Sequence, residues 1–157
     1  MLGSLSQQTV GSVFFSHTWA TAGAVFGPVN DRLGFQFTIS EDIEINYLSL
    51  FTQASIINEN IIIHRVSDGA TIASATISGT ADTWVPSAIS PVTLLSSATY
   101  TCSTRASGSS RNVYRNPTGL TFDARITKTA NVFGGSDALP TSTTANVYVF
   151  CGFGWTN

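Results

Sequence analysis

Hydrophobic and polar residues alternate along much of this chain. In Leu33-Gly34-Phe35-Gln36-Phe37-Thr38-Ile39 the residues Leu33, Phe35, Phe37 and Ile39 share one face, the period of two of a half-buried strand. Ile43, Ile45 and Tyr47 continue such a pattern, and Leu48 and Leu50 then change phase, which predicts a bulge between Ile43 and Phe51. Two β-rich runs, Ile61 to Val66 and Ala70 to Ile77, flank Asp68-Gly69, a pair that tolerates positive φ and predicts a tight hairpin. Gly79 to Asp82 is a further turn, and Pro86 places the segment after Trp84 at a sheet edge or in a loop. Pro91 to Leu95, Ala98 to Ser103, Leu120 to Ile126 and Asn146 to Phe153 read as strands. Residues 105–119 read as a loop with a short strand at Val113-Tyr114, and residues 134–144 as a second loop. Residues 1–30 are apolar but irregular, with Val13-Phe14-Phe15, Trp19 and Ala24-Val25-Phe26, and form an N-terminal arm expected to reach a neighbouring subunit. No helical period, internal repeat or linker interrupts the series. The pattern predicts one all-β domain over residues 1–157, an antiparallel two-sheet sandwich, jelly-roll-like, with at least seven strands. Its expected core comprises Phe35, Phe37, Ile39, Ile45, Ile63, Ile72, Tyr100, Val147 and Val149.

Composition narrows the partners. Charged residues make up 10% of the 157 and hydrophobic residues 43%, with Lys128 the only lysine. Helices usually draw their exposed faces from Lys, Glu and Arg, so the composition argues against long helices. A net charge of −2 gives no basic face for nucleic acid. No apolar run reaches the roughly 18 residues that span a membrane. Met1 to Gln8 lacks the basic and apolar regions of a secretory signal, so either the chain is not exported by that route or its signal has been removed; a small protein complete from Met1 is the expectation. A surface poor in charge can meet copies of itself with little desolvation cost. Cys102 and Cys151 fall on strand faces that meet if both point inward; two buried thiols and a disulfide both remain open.

Chemistry-bearing motifs are few. The chain lacks a Gly-x-Ser-x-Gly elbow, a P-loop, a dinucleotide fingerprint and His-Glu-x-x-His, so neither an enzyme site nor a cofactor is expected. His17 and His64 are the only histidines, and a strand histidine is more often structural than a base. Glu41, Asp42 and Glu44 read as a solvated turn, and no calcium-loop spacing accompanies them. Arg105, Arg111, Asn112, Tyr114, Arg115 and Asn116 are the unusual cluster, for half of the six arginines lie within these eleven residues. Arg and Tyr combine area with hydrogen bonding, so the cluster suits a subunit interface or a glycan site as well as a solvated loop. Trp84 and Trp155 are possible sugar platforms against the commoner role of a sandwich tryptophan in the core.

Phe35-Gln36-Phe37-Thr38, the Ile-rich strand, Asp68-Gly69-Ala70-Thr71-Ile72-Ala73-Ser74-Ala75-Thr76, Trp84, Pro91-Val92-Thr93-Leu94 and Ala98-Thr99-Tyr100-Thr101 carry a resemblance. Over residues 35–104 the chain resembles a β-sandwich accessory domain of unknown function found in bacterial secreted and surface proteins, often beside carbohydrate-active modules. It departs from that family at His64, where a tryptophan is usual, and at Ser97-Ala98, where a glycine precedes the matched tyrosine. The resemblance implies a jelly-roll-like sandwich and, by analogy, contact with carbohydrate. The expected function is a non-enzymatic structural or adhesion protein, foremost a self-assembling virion component such as a capsid decoration, fibre or tail protein. A carbohydrate-binding module and an extracellular filament subunit are the alternatives. The expected partners are copies of itself, other virion or surface proteins, or glycans, in a virion or at a cell surface. Neither nucleic acid nor membrane insertion is expected.

Overall fold

The computed structural model describes residues 13–21, 24–29, 31–51, 56–105, 111–134 and 138–156, with the backbone alone at 13–15, 25–29, 56–57 and 111–114. Among the described residues there are fourteen strands and no helix. They are β1 (Val13–Phe15), β2 (His17–Thr18), β3 (Ala24–Val29), β4 (Arg32–Ile39), β5 (Ile43–Phe51), β6 (Ile56–Arg65) and β7 (Thr71–Gly79). The second half supplies β8 (Trp84–Leu94), β9 (Thr99–Arg105), β10 (Arg111–Arg115), β11 (Thr121–Phe122), β12 (Ile126–Phe133), β13 (Ser142–Thr144) and β14 (Cys151–Thr156).

Two antiparallel sheets form the sandwich, one in the order β1-β14-β5-β8 and one in the order β13-β12-β4-β9-β6-β7. Consecutive strands cross between them: β4 to β5, β5 to β6, β7 to β8 and β8 to β9 each change sheet. Such winding closes a double-layered core without burying loops. The alternation in β4 fixes its register, for Leu33, Phe35, Phe37 and Ile39 are all buried. Phe37 stacks on Phe153 of the opposite sheet at 4.8 Å between ring centroids. Gly34, on the other face of β4, lies so close to β9 that an added Cβ would fall 2.0 Å from the Cys102 carbonyl oxygen. In β5 the buried phase moves from Ile43 and Ile45 to Leu48 and Leu50, and the register against β8 shifts between Ile45 and Tyr47. The expected bulge is therefore present.

The Asp68-Gly69 hairpin also forms. Gly69 takes φ +70° and β6 pairs antiparallel with β7. The Asp68 carboxylate accepts from the Ala70 amide and pairs with Arg65 at 2.6 Å, which holds its pKa low. Of the expected core, Phe35, Phe37, Ile39, Ile45, Ile63, Tyr100 and Val149 are buried, whereas Ile72 and Val147 are half-buried against it. The last strand starts at Cys151 and not at Asn146. Tyr148, Val149 and Phe150 are buried in succession, so this stretch fills the core without strand alternation. Cys102 and Cys151 are free, fully buried thiols on opposite sheets, and Cys151 Sγ donates to the Cys102 carbonyl at 3.4 Å. Burial, and then the neighbouring thiol, push the Cys102 pKa up.

The irregular N-terminal segment acquires its structure from distant partners. β1 pairs with β14, placing Phe14 opposite Trp155. Beyond it the chain follows residues 113–122 in one antiparallel register: His17 opposite Phe122, Thr18 opposite Thr121, Thr21 opposite Thr118, Ala24 opposite Arg115 and Phe26 opposite Val113. Val13-Phe14-Phe15, read as part of an arm reaching a neighbour, add a strand to the chain's own four-stranded sheet. Residues 1–12 lie outside the described ones.

Candidate functional site

Among the described residues of the arginine-rich segment, Arg111–Arg115 form a strand. β10 pairs with β3, and the short strand expected at Val113-Tyr114 lies inside it. The side chains of Arg111, Asn112 and Tyr114 lie outside the described residues. Arg105 ends β9, opposite Arg32 of β4 and Asn60 of β6, and is half-buried. Arg115 is half-buried too, and its charge acts on the Tyr148 hydroxyl. Asn116 takes φ +54°, a conformation asparagine tolerates. Its amide donates to Val147 O at 3.0 Å, and its Oδ1 accepts from Val147 N at 2.7 Å. Asn116 thus fastens the C-terminal crossing to the ribbon.

The tryptophans face inward. Trp84 is half-buried and packs against Trp19 at 4.9 Å, His17 at 5.4 Å and Phe51 at 5.7 Å. Trp155 is buried, with the Arg125 guanidinium 4.5 Å above its ring. Arg125 also pairs with Asp123 at 2.8 Å and with Glu41 at 3.5 Å, so the acidic turn is partly neutralised within the chain. In the same turn Asp42 caps Ser96, accepting from its amide at 2.7 Å and its hydroxyl at 2.9 Å.

Sequence reasoning missed a buried Ser–His pair. The Val149 carbonyl can only accept, so His17 Nε2 carries the proton and donates to it. Nδ1 then accepts from the Ser16 hydroxyl at 2.9 Å, and Ser16 Oγ accepts from the Phe153 amide at 3.2 Å. Burial, opposed by the Val149 bond, depresses the His17 pKa to about 4. A Cβ on Gly152 would meet His17 Cε1 and Ser16 Oγ at 3.0 Å, so a glycine there admits the pair. Rings of Trp19, Phe35, Trp84 and Phe122 surround the imidazole. Ser16 and His17 are only 1% and 2% exposed, which leaves a substrate no access, so the pair works as a clasp between the N-terminal segment and β14. Alternation gives no warning of it, because the partners are remote in sequence.

His64 is buried on the outer face of the six-stranded sheet, opposite Thr101. Burial, and then the charge of Arg32, lower its pKa. Arg32 is fully buried; its guanidinium donates to Ser103 O at 3.3 Å and Asn60 Oδ1 at 3.2 Å. On the same face Gln36, Thr101 and Val132, with Leu139 and Pro140, line a cavity of about 150 Å³. Among the described residues no three His, Cys, Asp or Glu side chains converge as metal ligands.

The larger concavity lies elsewhere. β7 ends the six-stranded sheet and β8 ends the four-stranded one. They meet near Gly79 and Val85 and then part, leaving an open groove of about 420 Å³. Ile72 to Thr76 form one wall, and Ser87 to Ser90 with Val92 form the other. Neither strand carries a charged side chain. The groove has no ionisable group for acid–base work, and its polar atoms are hydroxyls and strand backbone. No protein-family model, curated protein or solved structure matches this chain.

Proposed function

We propose that this chain is a non-enzymatic structural protein that works by assembling with copies of itself. Within that class, the virion component (a capsid decoration, fibre or tail protein) accords best with the low-charge composition. The carrying observation is the flank of β7 and β8: two adjacent edge strands of 9 and 11 residues without one charged side chain. Sheet edges are commonly guarded by charge, because their free N–H and C=O groups recruit other strands. An uncharged flank is instead suited to contact.

The charges that exist support an orientation. Glu41 and Asp42 follow the Ile39 end of β4, and Arg105 sits opposite its Arg32 end. Eight residues of strand put these ends roughly 25 Å apart. Opposed charges at two ends favour a head-to-tail approach of successive copies. Charge reversal at Arg111 and Arg115 is expected to weaken that approach most in low salt.

A glycan-binding module is the second reading, favoured by the family resemblance and by the Arg–Asn–Tyr composition of residues 105–116. Among the described residues the one exposed large hydrophobic is Leu95. Light scattering on the eluting protein, with and without a glycan panel, separates the two. Assembly predicts a mass above 16.6 kDa without ligand. A strict monomer that binds glycans would establish the module instead.

A further inference from the structure

We propose that β7 is the assembly edge and that it pairs antiparallel with β7 of a second copy, about a two-fold axis through Ser74. The proposal rests on the self-assembly reading and names the surface that performs it.

Four strands end the two main sheets: β1, β8, β13 and β7. β1 and β13 have 3 residues each, too short to template a partner. β8 is long, but Pro86 and Pro91 remove two amide donors. β7 has 9 residues, no proline and no charge. It pairs with β6 on one side only. Among the described residues it is therefore the long edge with neither proline nor charge, although its register against β6 shifts near both ends, between Ile56 and Glu59 and between Ile63 and His64.

The sequence of β7 identifies the occupant. Thr71-Ile72-Ala73-Ser74-Ala75-Thr76-Ile77 reads nearly the same in both directions in residue size. A two-fold axis at Ser74 sets Ala73 opposite Ala75 of the second copy, Ile72 opposite Thr76 and Thr71 opposite Ile77. Small residues meet small ones at the centre, and β-branched residues, which suit cross-strand pairing, meet at the flanks. Faces are kept at the centre as well. From Ala73 to Ala75 each residue meets one of the same parity, so the exposed Ser74 stays outward while the buried Ala73 keeps facing the core; toward Thr71 the bulge against His64 breaks the alternation. With the axis normal to the sheet, the two six-stranded sheets run on as one. The β8 strands then come together above it, covering the half-buried Ile72, Ala75, Ile89 and Val92 of the groove wall. Such a contact is isologous and closes at two, so any larger assembly needs a second contact such as the opposed charges.

The test uses the full chain with Ser74→Cys, with Thr127→Cys on the exposed face of β12 as control, and with Ser74→Lys. Residues directly opposite in an antiparallel pair lie about 4.5–5.5 Å apart, within disulfide reach. Under mild oxidation Ser74→Cys is expected to give a covalent dimer on a non-reducing gel, and Thr127→Cys is expected to stay monomeric. Ser74→Lys sets two ammonium groups face to face and is expected to raise the dimer dissociation constant about ten-fold or more, with an unchanged circular-dichroism spectrum. If the unmodified protein assembles but Ser74→Cys cross-links no more than the control, the two-fold pairing is overturned and self-assembly stands. Loss of assembly in Ser74→Lys without cross-linking in Ser74→Cys would give the edge to a different strand of the neighbour, which also overturns the self-pairing. An unmodified protein that stays monomeric at every concentration overturns both.

Discussion

β7 and β8 border the same groove, lack charge and end their sheets, yet they offer a neighbour different things. Each has a register shift against its own neighbour, but β8 presents Pro86 and Pro91, which lack an amide donor, whereas β7 has no proline and keeps every amide. The difference shows that want of charge is not enough to make an interface. The backbone must also be able to continue its ladder. One strand of the pair is suited to pairing, and the other shapes the groove wall beside it.

Removing the core beneath both strands has the largest expected effect. Phe37→Ala takes away a fully buried ring stacked on Phe153 and should cost about 3–5 kcal/mol in urea unfolding. Both edges are then lost together, and assembly with them. Acid should act next, from the side of the four-stranded sheet. The folded pKa of His17, about 4, lies below its ordinary 6.5, so the unfolded chain binds the extra proton. Stability is full above pH 6.5 and falls as pH drops toward 4, by about 3 kcal/mol. The lowered pKa of His64 works in the same direction. Urea midpoints between pH 7 and 4 check this, and a flat profile would remove His17 from the account. The lowered Asp68 carboxyl contributes only at still lower pH.

Smaller effects separate the two edges. Gly69→Ala forces a Cβ onto φ +70° in the turn that leads into β7 and should cost about 1–2 kcal/mol. Its signature is faster hydrogen exchange in β7 than in β8. The smallest expected effect is that of Ser90→Lys on β8. Ser90 is exposed and lines the groove, but the lysine meets no strand-paired copy of itself. Its dissociation constant should stay within about three-fold of the parent, against ten-fold or more for Ser74→Lys. Equal losses would erase the distinction between the edges.

The middle of the chain was legible because its signals are local. The alternation of Leu33 to Ile39, the phase change after Ile45 and the Asp68-Gly69 turn depend on neighbours in sequence, and all three appear in the structure. The ends were not legible, because their partners are far away. Residues 17–21 and 24–26 owe their register to residues 113–122, and nothing in their own pattern announces it. Tyr148-Val149-Phe150 read as strand, yet all three are buried, which a half-exposed strand does not do. The buried Arg32 and His17 lie where composition predicts solvent or chance. Of the arginine cluster the sequence located the short strand, but not that Asn116 is engaged by Val147 or that Trp84 packs on Trp19.

Sedimentation equilibrium of the unmodified chain beside Ser74→Lys, over a concentration series into the tens of micromolar, about where weak interfaces become populated, tests the central claim most directly. The account predicts that the unmodified chain rises from 16.6 kDa to at least twice that mass, and that the rise for Ser74→Lys is displaced to concentrations about ten-fold or more higher. A single mass of 16.6 kDa for both, at every concentration, would contradict it.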